Sequence, residues 1–287
     1  LPTPMTALDQ VFEALAERPE SHTHSSEIYR SCKAKARAAV EQLFSANERR
    51  AQAFGPFGEI SMPHTKMGAI DSLDLFGLDE LIIFTFYNAN RARYRNVLDI
   101  GANLGLHSIV MGRCGFSVKA FEPDPWHYSL LCENLAANKV SSVVPIKEAV
   151  SVSDGEAQFV RVLGNTTGSH LAGSKNSYGE KEVFAVPTRA VRPLFEWADL
   201  AKIDAEGHEK ELLLAASREL MQKLDIMVEI GNADNAKAVF GHFQSIGIGM
   251  YSQKKRWGPV ERVEDVPTSH REGSLFISAK PAMPWRR

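Results

Sequence analysis

The sequence predicts a Rossmann-like α/β fold, and three observations carry that reading. A short apolar strand, Val97-Leu98-Asp99-Ile100, runs straight into a turn bounded by Gly101 and Gly105. From Asn96 onward, short β-prone runs alternate with helical stretches, as parallel sheets with crossover helices require. An acid, Glu122, then closes the next strand in Phe121-Glu122-Pro123, one βα unit downstream.

Residues 7–50 read as helical. Leu8, Val11, Phe12 and Leu15 share one helical face, and 28–43 forms a longer amphipathic stretch rich in Lys, Arg and Ala. The loop Phe54-Gly55-Pro56-Phe57-Gly58 leads to a strand and turn ending at Lys66. Asp71 or Ser72 caps a helix running through Leu81 and Phe86 to about Tyr94. Its apolar run, Leu81 to Tyr87, is flanked by Asp79, Glu80 and Arg91 and predicts a buried helix. That run is far shorter than the roughly 20 residues a bilayer demands.

The alternating part follows as strand 97–100, helix 104–114, strand 117–121, helix 125–138 and strand 143–150. Asp154-Gly155 reads as a hairpin turn into strand 156–162. After a polar tract, 164–179, come strands 183–186 and 200–203, helix 210–223 and strand 226–230. Helix 233–246 and two late strands, near Met250 and at 275–278, complete a mixed sheet with helices on both faces. The expected division is an N-terminal helical extension, 1–95, over a ligand-binding domain, 96–287.

Composition sets the boundaries. The 287 residues are 44% hydrophobic and 24% charged with a formal net charge of −2, an ordinary globular balance. Such a charge gives no ground for a nucleic-acid partner, and Lys254-Lys255-Arg256 is a short solvated cluster. Cys32, Cys114 and Cys132 are too few and too dispersed for a disulfide framework or a zinc site. No basic segment followed by an apolar one stands at the N-terminus, so the expectation is a cytoplasmic protein without a membrane span.

The turn Asp99-Ile100-Gly101-Ala102-Asn103-Leu104-Gly105 is the central motif. Its glycines let backbone approach a ligand closely, and a helix N-terminus opens directly behind it. Dinucleotide sites place a second glycine two residues after the first, to clear room for a pyrophosphate. Here Ala102 and Asn103 fill that space and Asp99 precedes the first glycine, an arrangement suited to a ligand with an amino-acid tail, whose ammonium the carboxylate or its waters can hold. Glu122, beside Pro123, is placed to accept hydrogen bonds from both hydroxyls of a ribose. At the third strand, Glu148 or the backbone of Ala149 is placed to read an adenine edge, and a solvent-facing acid is the competing reading for Glu148.

The fourth motif, Lys202-Ile203-Asp204-Ala205-Glu206-Gly207-His208-Glu209, brings four ionisable groups to the edge where α/β sheets bind ligands. Asp204 is the first candidate for catalytic base or orienting group, with Glu206 holding substrate. His208 is the alternative base, because its intrinsic pKa lies nearer neutrality. Plain helix capping by Asp204 is the structural alternative. The spacing is no metal-ligand pattern, so no metal is assigned. Glu229, closing Met227-Val228-Glu229, is a substrate-binding candidate or an ordinary strand end.

Taken together, the glycine turn, Phe121-Glu122-Pro123-Asp124-Pro125, Glu148-Ala149-Val150 with Asp154-Gly155-Glu156, and Lys202 to Glu209 resemble the motif series of FkbM-type methyltransferases. The resemblance covers about 96–280, in order and spacing as well as residue identity. It implies a class I methyltransferase sheet, S-adenosylmethionine as methyl donor with S-adenosylhomocysteine as product, and most often O-methylation. Family members act on natural products and sugars, so the implied partner is a small-molecule acceptor. The first 95 residues resemble the family far less and are expected to form a helical cap. Two rival readings are a nicotinamide oxidoreductase, disfavoured by the missing second glycine, and a cofactor-binding scaffold without catalysis. A scaffold has no need of the fourth motif, which this chain carries.

Overall fold

A doubly wound sheet of eight strands organises the chain in the computed structural model, which describes residues 5–175 and 179–285. Ahead of it lie helices α1 (Ala7–Glu17) and α2 (Glu27–Phe44). The small ladders β1 (Ala51–Ala53) with β2 (Glu59–Ser61) and β3 (Lys66–Met67) with β4 (Ile70–Asp71) follow, then helix α3 (Leu78–Ala89). Thr6 and Asp9 form a reciprocal capping box that starts α1. Asp71 does not start α3. It caps a 3₁₀ turn, Ser72–Phe76, and Gly77, in an extended conformation, separates that turn from the helix.

The main sheet begins with β5 (Asn96–Ile100), α4 (Leu106–Arg113), β6 (Ser117–Phe121), α5 (Pro125–Ala137) and β7 (Val143–Ile146). A second sheet is inserted next: β8 (Ala149–Ser151), β9 (Gly155–Val162), β10 (His170–Leu171) and β11 (Lys181–Ala190), in the order β10-β9-β11-β8. The chain then returns through α6 (Val191–Trp197), β12 (Leu200–Ile203), α7 (Glu209–Leu214), β13 (Asp225–Val228) and α8 (Ala233–Ser245). It finishes with β14 (Gly249–Ser252), β15 (Gly258–Pro259) and β16 (Leu275–Ser278). Across the main sheet the order is β7-β6-β5-β12-β13-β16-β14-β15. The first five are parallel, and β16 runs antiparallel to both neighbours. This is the expected Rossmann-like class I sheet with helices on both faces. Strand order reverses between β5 and β12, and the crevice at such a switch point is where α/β sheets take ligands.

Three further local expectations are corrected. The strand expected over 143–150 splits, because after Ile146 the chain bends and 149–151 pairs with β11 instead. Asp154-Gly155 makes no hairpin, since β11 lies between β8 and β9 and pairs with both. Alternation marks a strand but not the sheet it joins. The helix expected over 210–223 stops at Leu214, and Ser217 accepts the Leu220 N–H to begin a separate 3₁₀ turn, Leu220–Gln222.

The core has two halves, one on each face of the sheet. One face packs α6, α7 and α8, through Phe195, Leu212, Leu213, Val239 and Phe243, against Leu98, Ile100, Ala201 and Ile203. The other packs α1, α2 and α3 together with α4 and α5 against Val97, Val118, Ala120 and Phe276. The first 95 residues therefore share a core with the sheet and cover one of its faces, besides sending residues to the cavity described below. Every residue from Leu81 to Tyr87 is buried, as the apolar run predicts. Trp257 donates its indole N–H to His22 Nδ1 at 3.0 Å, and Gln253 donates to the His22 carbonyl at 3.0 Å, tying the two ends of the chain together. Among the described residues no helix is long and apolar enough to cross a membrane.

Candidate active site

The carboxyl ends of β5, β6, β12 and β13, the bend after β7, the inserted sheet and the start of α3 enclose one cavity of about 1050 Å³, open mouth included. Its walls carry Gly101, Asn103, Glu122, Pro123, Glu148, Ala149, Asp204, Glu206, His208 and Glu229, each a candidate from the sequence. Asp99, Ala102 and Gly105 stand behind the wall.

The glycine turn is built for tight packing. At Gly101, φ is +80° and an added Cβ would lie 1.9 Å from the Asp204 carbonyl oxygen. At Gly105, φ is +89° and a Cβ would meet Leu131 Cδ1 at 2.5 Å. The free space at these glycines is thus used by β12 and α5 rather than held open for a ligand, although the Gly101 backbone does face the cavity. Gly101→Ala is expected to destabilise the fold by about 2–4 kcal/mol, from left-handed strain plus overpacking. Urea unfolding checks this, and an unchanged midpoint would show that the β5–β12 contact has slack.

Asp99 does not reach the cavity, which corrects its assignment to a ligand ammonium. It is fully buried, and its Oδ2 accepts a 2.5 Å hydrogen bond from Ser108 Oγ. Oδ1 has no hydrogen-bond partner among the described residues and lies 3.8 Å from Lys202 Nζ. Lys202 also lies 3.4 Å from Asp204 Oδ2 and 3.4 Å from the Gly101 carbonyl. Burial works against its charge, but Asp204, Asp99, Glu80 and Glu229 outweigh that and hold the ammonium above its ordinary range. Lys202 stands in the fourth motif, and its role shows only in the folded site. It is the cation that lets three acids crowd the strand ends.

Glu122 is buried and held at both oxygens. Oε2 accepts from Asn103 N at 2.8 Å and Oε1 from Asp124 N at 2.9 Å. Burial pushes its carboxyl up to about 8, against the pull of those two N–H donors. Asn103 sits at φ +51°, and its Oδ1 is buried at the wall without a partner among the described residues. A rigid carboxyl group that becomes a pure acceptor on losing its proton, beside an orphaned amide oxygen, suits the hydroxyl-rich and amino-bearing surface of an adenosyl amino acid. Glu148 faces the same cavity while Arg189 grips it bidentately at 2.8 and 2.9 Å.

The fourth motif divides its labour. Glu209 turns away from the cavity, and its carboxylate accepts from the backbone N–H groups of Ala205 and Gly207 at 2.9–3.0 Å. Burial pushes it up to about 7. Removing those acceptors leaves two N–H groups unpaired, so Glu209→Ala should lower stability by about 1–3 kcal/mol. Thermal unfolding tests this, and a midpoint equal to the parent's would exclude the role. Because Glu209 holds the turn and His208 occupies the N-cap position of α7, Asp204 is no helix cap. Its side chain is 40% exposed, facing the cavity. Glu206 pairs with Lys175 of the inserted sheet's loop. His208 contacts Ser151 Oγ through Nε2 at 3.1 Å and Ser174 Oγ through Nδ1 at 3.3 Å, and burial lowers its pKa. Both ring nitrogens are engaged, which leaves Asp204 the freer proton acceptor.

Two groups of wall residues were missed. Ile70, Asp74, Leu75 and Glu80 come from the N-terminal segment, and Glu80 accepts from His107 Nε2 at 2.7 Å. His127, Phe159, Thr166, Thr167, Ser169, His170 and Leu171 line the side made by α5 and the inserted sheet. Arg161 anchors that sheet bidentately on Asp124, the cap of α5, at 2.6 and 2.7 Å. In the sequence that side is marked only by the polar tract at 164–179.

A family model described as "Methyltransferase FkbM domain" matches residues 99–245, just over half of the chain. The chain belongs to the FkbM methyltransferase family. Its FkbM domain supplies every cavity residue named from the sequence, whereas Asp74 and Glu80 lie outside the matched segment. The hexuronic acid methyltransferase AglP of Haloferax volcanii is 28% identical over 137 residues, 46% of this chain and 54% of that protein. The chain thus spans about half the length of that curated relative. Among solved structures, the S-adenosylmethionine-dependent methyltransferase from Agrobacterium tumefaciens aligns over 82% of this chain and 72% of its own, at 11% identity and a TM-score of 0.45. The precorrin-6y C5,15-methyltransferase from Geobacter metallireducens aligns over 66% and 82%, at 12% identity and a TM-score of 0.35.

Proposed function

We propose that this FkbM protein methylates a hydroxyl of a small molecule, with S-adenosylmethionine as donor. The observation that carries the reading is the sequence of groups across the switch point. Glu122, with both oxygens fixed, stands on one side of the Gly101 turn, and the cavity-facing Asp204 stands on the other. The bound donor supplies an electrophilic methyl on a sulfonium.

The residues perform the rest. Glu122 accepts from the ribose hydroxyls, and Glu148 and Ala149 frame the adenine. Asn103 presents its free amide oxygen to the donor. Asp204 orients the acceptor hydroxyl and takes its proton as the new C–O bond forms and the C–S bond breaks. Lys202, 3.4 Å away, steadies the Asp204 charge until that moment. Glu206, fixed by Lys175, holds the acceptor from the other side. Fixing two reactants in line is the larger share of such a reaction, because it removes the entropic cost of their encounter.

The test incubates the protein with S-adenosylmethionine labelled on its methyl and a small-molecule extract of the source organism. Labelled product with the methyl on oxygen, located by mass-spectrometric fragmentation, is the expected result. Binding of S-adenosylhomocysteine without any labelled product would favour a scaffold and overturn the proposal.

A further inference from the structure

The strand ends give the cavity a direction. Glu148 follows β7, Glu122 follows β6, Gly101 follows β5, Asp204 follows β12 and Glu229 follows β13, in the spatial order of the sheet. Neighbouring strands lie about 4.8 Å apart, which puts Glu229 roughly 10 Å beyond the glycine turn, on the side of Asp204 away from Glu122. This far end is bounded by Glu80 of α3 and continues into a small recess shared with His107, Lys202 and Ser274.

The charges at this end do not balance. Glu80 is paired with His107, Asp204 with Lys202 and Glu206 with Lys175. The Glu229 side chain has no hydrogen bond and no cation within 4 Å among the described residues, and its accessible surface opens into the cavity. Lys202, whose charge does act on it, is already shared between Asp204 and Asp99. The cavity wall holds seven carboxyl groups and, among the described residues, no lysine or arginine. Its histidines, His127, His170 and His208, are all shifted toward the neutral form by burial. An enclosed carboxylate beside two others is costly without a counter-charge, and a positive ligand group supplies one.

We propose that the far end of the cavity is a subsite for a protonated amine, with Glu229 as its counter-ion and Glu80 beside it, so that the methyl acceptor is an amine-bearing molecule methylated on a nearby hydroxyl. This rests on the methyl-transfer reading above. A protonated nitrogen has no lone pair to attack with, so anchoring the amine leaves the hydroxyl as nucleophile. Burial and the like charges of Glu80 and Asp204 outweigh the pull of Lys202 and hold Glu229 above the usual carboxylate range, and an ammonium beside it restores its charge. A hexuronate, the substrate class in the name of the Haloferax relative, would instead add a carboxylate to this wall.

The test splits the labelled-methyl experiment by charge. Ion exchange divides the extract into cationic, neutral and anionic pools, each offered with labelled S-adenosylmethionine. Label is expected in the cationic pool, on oxygen. With that acceptor purified, Glu229→Gln should raise its KM by about tenfold or more, equivalent to at least ~1.4 kcal/mol. The same variant should bind S-adenosylhomocysteine within about twofold of the parent by calorimetry, since Glu229 lies outside the cofactor's path. Glu80→Gln serves as the second variant should Glu229→Gln fail to fold. Label confined to the neutral or anionic pool overturns the inference while leaving methyl transfer standing. Unchanged KM in every folded variant, or weakened S-adenosylhomocysteine binding by Glu229→Gln, also overturns it, the latter by assigning Glu229 to the cofactor's own ammonium. Label in no pool overturns the functional reading and this inference together.

Discussion

Asp204→Asn is expected to slow methyl transfer by about 10²-fold or more, the usual contribution of a positioned general base. Asparagine matches aspartate in size and keeps a polar contact to Lys202, but it cannot take a proton. The structure removes the competing explanation in advance. The turn after β12 is held by Glu209, and α7 starts at His208, so replacing Asp204 disturbs no cap. Affinity for S-adenosylhomocysteine should stay within about twofold, because Asp204 acts on the acceptor side. His208→Gln is the control measured beside it. Its imidazole is tied to Ser151 and Ser174, so a much smaller loss is expected, and a larger one would move the base to His208. Near-normal turnover in both variants would leave alignment alone to carry the reaction.

Glu122→Gln is expected to weaken S-adenosylhomocysteine binding by about 10–100-fold, the range of a lost charge-assisted hydrogen bond. Both carboxylate oxygens already accept backbone N–H groups, from Asn103 and Asp124. An amide must turn its own NH₂ toward one of these donors, so it loses more than charge. The parent should also show a proton linkage. Its Glu122 carboxyl, raised by burial to about 8, keeps a proton at neutral pH in the free protein. Ribose hydroxyls that donate to it favour the carboxylate, so binding expels that proton. Affinity should therefore rise with pH, by at most about tenfold per unit, and level off above about 8. Calorimetry across pH 6–9 reads the slope, and Glu122→Gln should abolish it. The same group makes the free fold lose stability as pH climbs from about 4.5 to about 8, since only the unfolded chain gives up the proton early. A pH-independent affinity in the parent would remove Glu122 from the ribose.

What the sequence revealed and what it concealed divide along physical lines. The β5 turn, the Glu122 strand end and the β12 motif were legible because each is local, a strand followed at once by the turn chemistry its geometry needs. Glu122, Asn103, Asp204, Glu206 and His208 all reach the cavity as their positions at strand ends imply. Asp99 was misread because its neighbours in sequence do not show Ser108 folding back from α4 to seal it. Gly101 and Gly105 drew notice for the right reason, freedom of φ, but what they approach is β12 and Leu131. The inserted sheet was hidden more deeply. Alternation at 156–162 and 183–186 marks strands, yet only tertiary pairing reveals that β11 separates β8 from β9. Glu80 and Asp74 carried no signal, since one stands at the head of an apolar helix and the other in a turn. Their place at the cavity depends on how α3 lies across the sheet.

The central claim, that the switch-point cavity holds the methyl donor with its transferable group toward Asp204, is tested most directly by a crystal structure of the S-adenosylhomocysteine complex. Ribose hydroxyls are expected within hydrogen-bond distance of Glu122, adenine beside Glu148 and Ala149, and the sulfur between the Gly101 turn and Asp204. Density for the ligand elsewhere, or in this cavity with its sulfur turned away from Asp204, would contradict it.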